Sequence, residues 1–160
     1  MGMYTGIRFK GYVKPEFREE FEDIALNGEW ESSSDSILQS FSDFHRASFI
    51  PCGSLAYMPE EWEEYDNNYE IYSYEWFESA KDTDGFIRTW NKETGYWTFQ
   101  CSLKNYESEI EAWFDILPHF IEKIEHLEYF YEEFEYSRKY DLVDGKIVCV
   151  NDEFIKYNDY

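Results

Sequence analysis

Apolar and charged residues alternate at the start of the chain. In the stretch MYTGIRFKGYVK, Ile7 and Phe9 are interleaved with Arg8 and Lys10. A period of two places the apolar side chains on one face of an extended chain and the charged side chains on the other. The pattern therefore predicts a strand with one buried face.

The spacing becomes helical in the next part of the chain. Apolar residues recur every three or four positions over residues 15–27, where Pro15 suits the first helical turn and Gly28 suits the stop. We predict an amphipathic helix of about three turns there. The same spacing predicts a short helix near residues 35–45. The apolar, proline-bounded stretch 47–58 predicts a strand or an irregular buried segment.

Two hairpins and one long helix are predicted in the second half of the chain. Residues 86–106 hold two β-rich runs around a glycine-containing turn, and an Asp-Gly pair at residues 144–145 is a typical two-residue hairpin turn. Between them, an apolar stripe at helical spacing predicts a helix over residues 107–127, with a kink or a restart at Pro118. Residues 128–135 fit a continued helix as well as an alternating strand, and we predict a strand that begins near residue 128.

This order of elements favours an α+β fold. The predicted helices and strands are segregated, and each predicted strand connection is a hairpin, which indicates an antiparallel sheet with helices packed on one face. A chain of 160 residues is long enough to bury roughly two thirds of its unfolded surface in one core. No repeat or flexible linker divides it, so we predict that residues 1–160 form a single acidic, aromatic-rich domain.

The composition combines strong acidity with many rings. The chain has 35 acidic residues against 14 Lys plus Arg, a net charge of -21, and 22% aromatic residues. Acidic chains with few rings are typically disordered, whereas the rings here supply buriable area for a core. The charge disfavours direct binding to nucleic acid and to anionic membranes. It favours basic protein surfaces, metal ions or other cations as partners.

Location and redox state follow from two further features. The chain contains no apolar run of 18 residues and no signal peptide, so we expect a cytoplasmic protein, in the bacterial host's cytosol if the gene is phage-encoded. Its 3 cysteines include no CxxC pair. Free thiols are therefore expected, and neither a disulfide framework nor a zinc ribbon.

Motifs for known chemistries are absent from the sequence. Neither GxxxxGK[ST] nor GxGxxG occurs, so the usual phosphate-binding loops are excluded. His119 and His126 share one face of the predicted helix with Glu122, but the two imidazoles lie roughly 10 Å apart on a helix and are too distant to share one ion. We predict no catalytic residue, no metal site and no cofactor.

The acidic residues are concentrated in two segments. Residues 60–78 and 107–135 hold 18 of the 35 acids and one of the 14 bases, and the first segment also holds seven rings. This imbalance exceeds the net charge of about 2–8 that keeps a small domain soluble. Tyrosine and tryptophan beside charge are typical interface anchors. The predicted partner-binding residues are Glu60, Glu61, Trp62, Glu63, Glu64, Tyr65, Asp66, Tyr69, Glu70, Glu111, Asp115, Glu122 and Glu125.

The last four of these residues are predicted to form a stripe. On a helix that continues past Pro118, Glu111, Asp115, Glu122 and Glu125 recur at helical steps. Helical neighbours at such steps lie roughly 5–6 Å apart at Cβ, which is near the spacing of phosphates along one nucleic-acid strand. We therefore expect a surface that imitates a row of phosphates.

In its overall composition the chain is similar to phage-encoded DNA mimics, such as anti-restriction and anti-CRISPR proteins. The resemblance is one of composition and covers no motif. It implies a non-enzymatic inhibitor that occupies the nucleic-acid-binding site of a basic enzyme or complex. An immunity protein that neutralises a basic nuclease toxin uses the same physics and is the alternative. A small metal-dependent enzyme is the second alternative.

Overall fold

The computed structural model describes residues 3–55, 57–58 and 86–150. Its centre is a six-stranded antiparallel sheet with the strand order β2-β3-β1-β4-β5-β6. The strands are β1 (Tyr4–Val13), β2 (Thr89–Asn91), β3 (Tyr96–Lys104), β4 (Ile121–Tyr131), β5 (Arg138–Val143) and β6 (Lys146–Cys149). The helices of the described part are α1 (Glu22–Asn27), α2 (Ser36–Ser40), α3 (Phe49–Cys52) and α4 (Glu109–Phe120), with 3-10 turns at Pro15–Glu20, Trp30–Ser32 and Phe41–Asp43. The predicted α+β class is confirmed.

The first predicted strand is the central strand of the sheet. β1 pairs antiparallel with β3 on one side and with β4 on the other. Ile7 and Phe9 are fully buried, as the alternation predicts. Arg8, on the opposite face of β1, is only 5% exposed. The strand is therefore buried on both faces, and the prediction of a single buried face is wrong.

Aromatic rings join the helices to one face of the sheet. The Phe9 ring of β1 lies 5.6 Å from the Trp113 ring of α4, and the Trp97 ring of β3 lies 4.9 Å from the Phe21 ring. Trp30 packs on the same cluster, 6.4 Å from Trp97. All five rings are at most 1% exposed. Edge-to-face pairs of this kind add about 0.5–1.5 kcal/mol each beyond the area they bury.

The predicted helix over residues 15–27 is interrupted. It consists of a 3-10 turn, Pro15–Glu20, and the short helix α1, which are separated at Phe21. Phe21, where the 3-10 turn meets α1, is 1% exposed and sits among the rings of the core. Gly28 ends α1 in the left-handed region, with φ of 66°, as the predicted stop requires.

The predicted short helix near residues 35–45 is confirmed, and the apolar segment 47–58 is irregular. α2 and the 3-10 turn that follows it occupy residues 36–43, within the predicted range 35–45. The apolar segment 47–58 forms no strand in its described residues. It contains the short helix α3, in which Ile50 has non-helical dihedral angles and precedes a cis peptide bond to Pro51.

The predicted long helix ends seven residues early. α4 stops at Phe120 and β4 begins at the next residue, so the helix predicted to residue 127 and the strand predicted from residue 128 are both wrong at this boundary. β4 pairs with β1 through two register shifts, in which Glu122 and Glu125 are the extra residues. Each bulge reverses the alternation of faces. Residues spaced by three therefore reach the same face, and this explains why the strand has helical spacing.

The two predicted hairpins are confirmed. β2 and β3 pair from Thr89 to Asn91 around a turn in which Gly95 has a φ of 78°. β5 and β6 are joined by Asp144 and Gly145, which have φ values of 51° and 77°. Positive φ at both central residues is the geometry that favours Asp-Gly in two-residue hairpins.

Candidate functional site

Two of the predicted acidic residues lie on the exposed side of α4. Glu111 accepts hydrogen bonds from the Asn105 amide at 2.7 Å and from the Tyr129 hydroxyl at 3.4 Å. Asp115 lies one turn further along the helix and lines a shallow cleft of about 440 Å³ between α4 and the β5–β6 hairpin. Both carboxylates are exposed, and no described cation forms an ion pair with either of them. They remain available to an external cation.

The other two residues of the predicted stripe do not lie on the helix. Glu122 and Glu125 are the bulge residues of β4. Glu122 lies 3.9 Å from the Arg18 guanidinium, and Glu125 accepts a hydrogen bond from the Tyr96 hydroxyl at 3.1 Å. The prediction of one helical stripe of four carboxylates is therefore wrong, because the chain becomes a strand before the second pair.

The first acidic cluster, with its predicted anchors, lies outside the described residues. This applies to Glu60, Glu61, Trp62, Glu63, Glu64, Tyr65, Asp66, Tyr69 and Glu70. Their contact with a partner stays a prediction.

An aromatic pocket lies near the N-terminal end of α4, where β3 ends. It has a volume of about 410 Å³ and is lined by residues from three separate segments of the chain. The lining residues are Met3, Thr5, Asn105, Tyr106, Tyr129, Tyr131 and Phe134. Tyr106 is 60% exposed and Met3 is 40% exposed, so large apolar side chains meet solvent at this position. We refer to these residues as the aromatic pocket.

Burial and nearby carboxylates raise the pKa values of Tyr129 and Tyr131 in the aromatic pocket. Burial and the carboxylate of Glu111 raise the pKa of Tyr129 to about 12, against the opposing charge of Arg138. Desolvation and the charges of Glu133 and Glu132 raise the pKa of Tyr131. In both cases burial is the largest cause, and burial disfavours a charge of either sign.

The rings of this pocket were not predicted from the sequence. Tyr106 follows β3, whereas Tyr131 and Phe134 flank the turn after β4, so only the pairing of these strands with β1 brings them together. One local signal was available: the segment EYFYEEF, residues 128–134, interleaves rings with carboxylates.

A row of buried polar side chains crosses the face of the sheet opposite Ile7 and Phe9. Arg8 stands opposite Gln100 of β3 and Glu128 of β4, and these two side chains are fully buried. The Arg8 Nε donates to the Gln100 Oε1 at 3.0 Å, and His126 contacts the Glu128 carboxylate at 2.8 Å. Such a satisfied network stabilises one arrangement of the three central strands.

A second acidic pocket surrounds Asp35. It has a volume of about 380 Å³ and is also lined by Glu16 and Glu20. The Asp35 carboxylate caps α2 and contacts the His119 Nε2 at 3.0 Å. Its hydrogen-bonding capacity is used within the fold, which is typical of a structural carboxylate.

No disulfide joins the three cysteines, as predicted. Burial raises the pKa of Cys52 and of Cys101, and a thiol that stays protonated is a poor nucleophile. Within residues 3–55, 57–58 and 86–150, no group of three His, Cys, Asp or Glu side chains has the arrangement of a metal site. None of the helices in these ranges is long and apolar enough to cross a membrane.

Comparison with known proteins adds no relative: no protein-family model matches the chain, and no curated protein or solved structure is significantly similar to it.

Proposed function

We propose that this protein is a non-enzymatic binding inhibitor that acts in the cytosol. Its acidic, aromatic-flanked surface occupies a basic, nucleic-acid-binding site on a protein partner, as a phage-type anti-restriction or anti-CRISPR DNA mimic does. The partner supplies the positive charge that the chain lacks.

The aromatic pocket and the exposed carboxylate of Glu111 beside it carry this proposal. Tyr106 is 60% exposed, and Glu111 beside the pocket contacts only neutral donors among the described residues. Exposed rings next to charge are the anchors that protein interfaces use, because they bury much area at a low entropic cost. An isolated acidic surface that only served solubility has no need of such rings.

The overall charge supports the same proposal. A net charge of -21 generates a long-range field that repels nucleic acid and steers basic proteins toward the surface. Electrostatic steering raises the association rate and makes it fall steeply with ionic strength. The proposed inhibitor therefore binds its partner fast and in a salt-sensitive manner.

The test is affinity capture from bacterial lysate with four immobilised baits, followed by elution in a salt gradient and mass spectrometry. The first bait is the wild-type chain. The second carries Glu111→Lys and Asp115→Lys. The third carries Glu31→Lys and Glu93→Lys, which reverse two exposed carboxylates away from the aromatic pocket and change the net charge by the same amount. A fourth bait with Glu60→Lys, Glu61→Lys and Glu63→Lys tests the first acidic cluster.

We expect one basic nuclease or nucleic-acid-guided complex to elute late from the wild type and from the third bait. The second and fourth baits should release it at lower salt. Competition by added DNA supports occupation of the nucleic-acid channel. A secreted-type nuclease toxin as the captured partner favours the immunity protein instead. Equal retention on all baits contradicts the proposal, and a wild-type bait that retains nothing above background contradicts it as well.

A further inference from the structure

The rings of the aromatic pocket form a concave wall. The Tyr131 and Phe134 rings are 5.5 Å apart and nearly perpendicular, at 76°. The Tyr129 ring lies 6.3 Å from the Phe134 ring. Rings at an angle to each other present a face and an edge to the same space, and the negative face is the part that attracts a cation. The volume of about 410 Å³ falls within the range of roughly 300–1,000 Å³ found for small-ligand sites.

A carboxylate without a cationic partner stands beside this wall. Within the described part of the chain, Glu111 forms no ion pair. It accepts a hydrogen bond from the Tyr129 hydroxyl at 3.4 Å, so it stands at the edge of the pocket. A neutral apolar side chain would leave this carboxylate without a cationic partner.

Two rings of the pocket already have a guanidinium group of this chain beside them. The Arg138 guanidinium carbon lies 4.8 Å from the Phe134 ring centroid, and the Arg46 guanidinium carbon lies 5.2 Å from that of Tyr106. Guanidinium is planar and weakly hydrated, so it stacks on rings at a lower desolvation cost than an ammonium group does. Its fork of N–H donors also fits a carboxylate.

We propose that the aromatic pocket receives one arginine side chain of the partner. Its guanidinium lies against the rings of Tyr129 and Tyr131 and donates hydrogen bonds toward the carboxylate of Glu111. This inference rests on the proposed function, because it identifies the group on the basic partner that the surface recognises.

The pocket is tested without the partner, by titrating the whole chain with N-acetyl-arginine methylamide. The citrulline analogue is the matched control, since it has nearly the same shape and no charge, and the lysine analogue tests the choice of cation. The readout is the NMR shift of the tyrosine and phenylalanine ring signals, assigned with single variants. We expect saturable shifts at the rings of the pocket, with at least fivefold weaker binding of both the citrulline and the lysine probe.

Two variants show whether the pocket is responsible. Tyr106→Leu and Tyr131→Leu should each weaken binding of the arginine probe at least threefold. Tyr136→Leu should leave it unchanged, because Tyr136 is a 40% exposed tyrosine that does not line the pocket. Tyr106 is 60% exposed, so its replacement leaves the core intact and keeps the test valid if the other variant unfolds.

The outcomes that reject the arginine pocket differ from those that reject the proposed inhibitor. The inference is wrong if citrulline or lysine binds as tightly as arginine, or if the shifts map to the pocket around Asp35. It is also wrong if a captured partner is released by Glu111→Lys and Asp115→Lys while Tyr106→Leu and Tyr131→Leu leave its affinity unchanged. In that last case the acidic inhibitor stands and only the arginine pocket is rejected. Arginine-selective shifts without any captured partner support the pocket and count against the inhibitor.

Discussion

At the scale of single residues, Asp35 joins two elements through one carboxylate. It accepts hydrogen bonds from the backbone N–H groups of Ile37 at 3.0 Å and Leu38 at 3.1 Å, and it contacts the His119 Nε2. Burial raises the pKa of Asp35, but the hydrogen bonds from His119 and Leu38 and the charge of His119 together lower it below its usual value of 3.8. The ionised form therefore stabilises the fold.

Asp35→Ala should lower the free energy of unfolding by about 1–2 kcal/mol at neutral pH, because it removes a helix cap. Asp35→Asn keeps the cap and removes the charge, so it should lower the free energy of unfolding by less. A group with a lowered pKa in the folded state stabilises above its unfolded pKa and loses this effect as the pH falls through the folded pKa. In urea unfolding at pH 6, wild type should therefore have a higher free energy of unfolding than Asp35→Asn. This difference in free energy should shrink below about pH 4. A constant difference over this range contradicts the assignment.

At the scale of elements, Gly28 and Gly145 both have positive φ, but only Gly28 is closely surrounded by other atoms. Gly28 has a φ of 66°, and a Cβ there would clash with the Ser48 carbonyl oxygen. Gly145 has a φ of 77° with open space around it. Gly145→Ala should cost only the conformational strain, about 1–2 kcal/mol. Gly28→Ala should cost clearly more in thermal or urea unfolding, and equal losses would show that the backbone of Ser48 yields.

The change from helix to strand at Phe120 depends on the neighbours of the segment. Residues 121–127 have apolar residues at helical spacing, but they pair with β1 through two bulges. A synthetic peptide of residues 105–131 lacks β1. We expect its Cα chemical shifts in aqueous trifluoroethanol to be helical beyond Phe120. A peptide of residues 3–14 is the control and should gain much less helix. Helical shifts that stop at Phe120 would mean that the local sequence sets this boundary.

At the scale of the whole molecule, the net charge of -21 works against compaction. Self-repulsion destabilises the folded state, and salt screens it over about 10 Å at 0.1 M. Raising sodium chloride from low concentration to about 0.5 M should therefore stabilise the protein by on the order of 1 kcal/mol, or about 2–4 °C in Tm. Sucrose at matched osmolarity controls for general solvent effects. A Tm that is flat or falls with salt contradicts this expectation.

The sequence predicted most of the sheet but little of the candidate site. β1 and both hairpins were predicted because their signals are local: a period of two, and glycine at positions that need positive φ. The aromatic pocket was not predicted, because Tyr106 and Tyr131 are far apart in the chain and meet only through strand pairing. Glu111 and Asp115 were placed on a helix correctly, whereas Glu122 and Glu125 were not.

The sequence by itself determined the α+β class, the positions of the turns and the excess of negative charge. Turn chemistry, side-chain period and charge are properties of a few neighbouring residues, so they are expressed wherever the segment lies. Tertiary structure alone decided that β4 begins at Ile121, that Arg8 is buried and that three tyrosines share one pocket. These outcomes depend on pairing between distant strands, which buries both faces of β1 and which no group of neighbouring residues encodes.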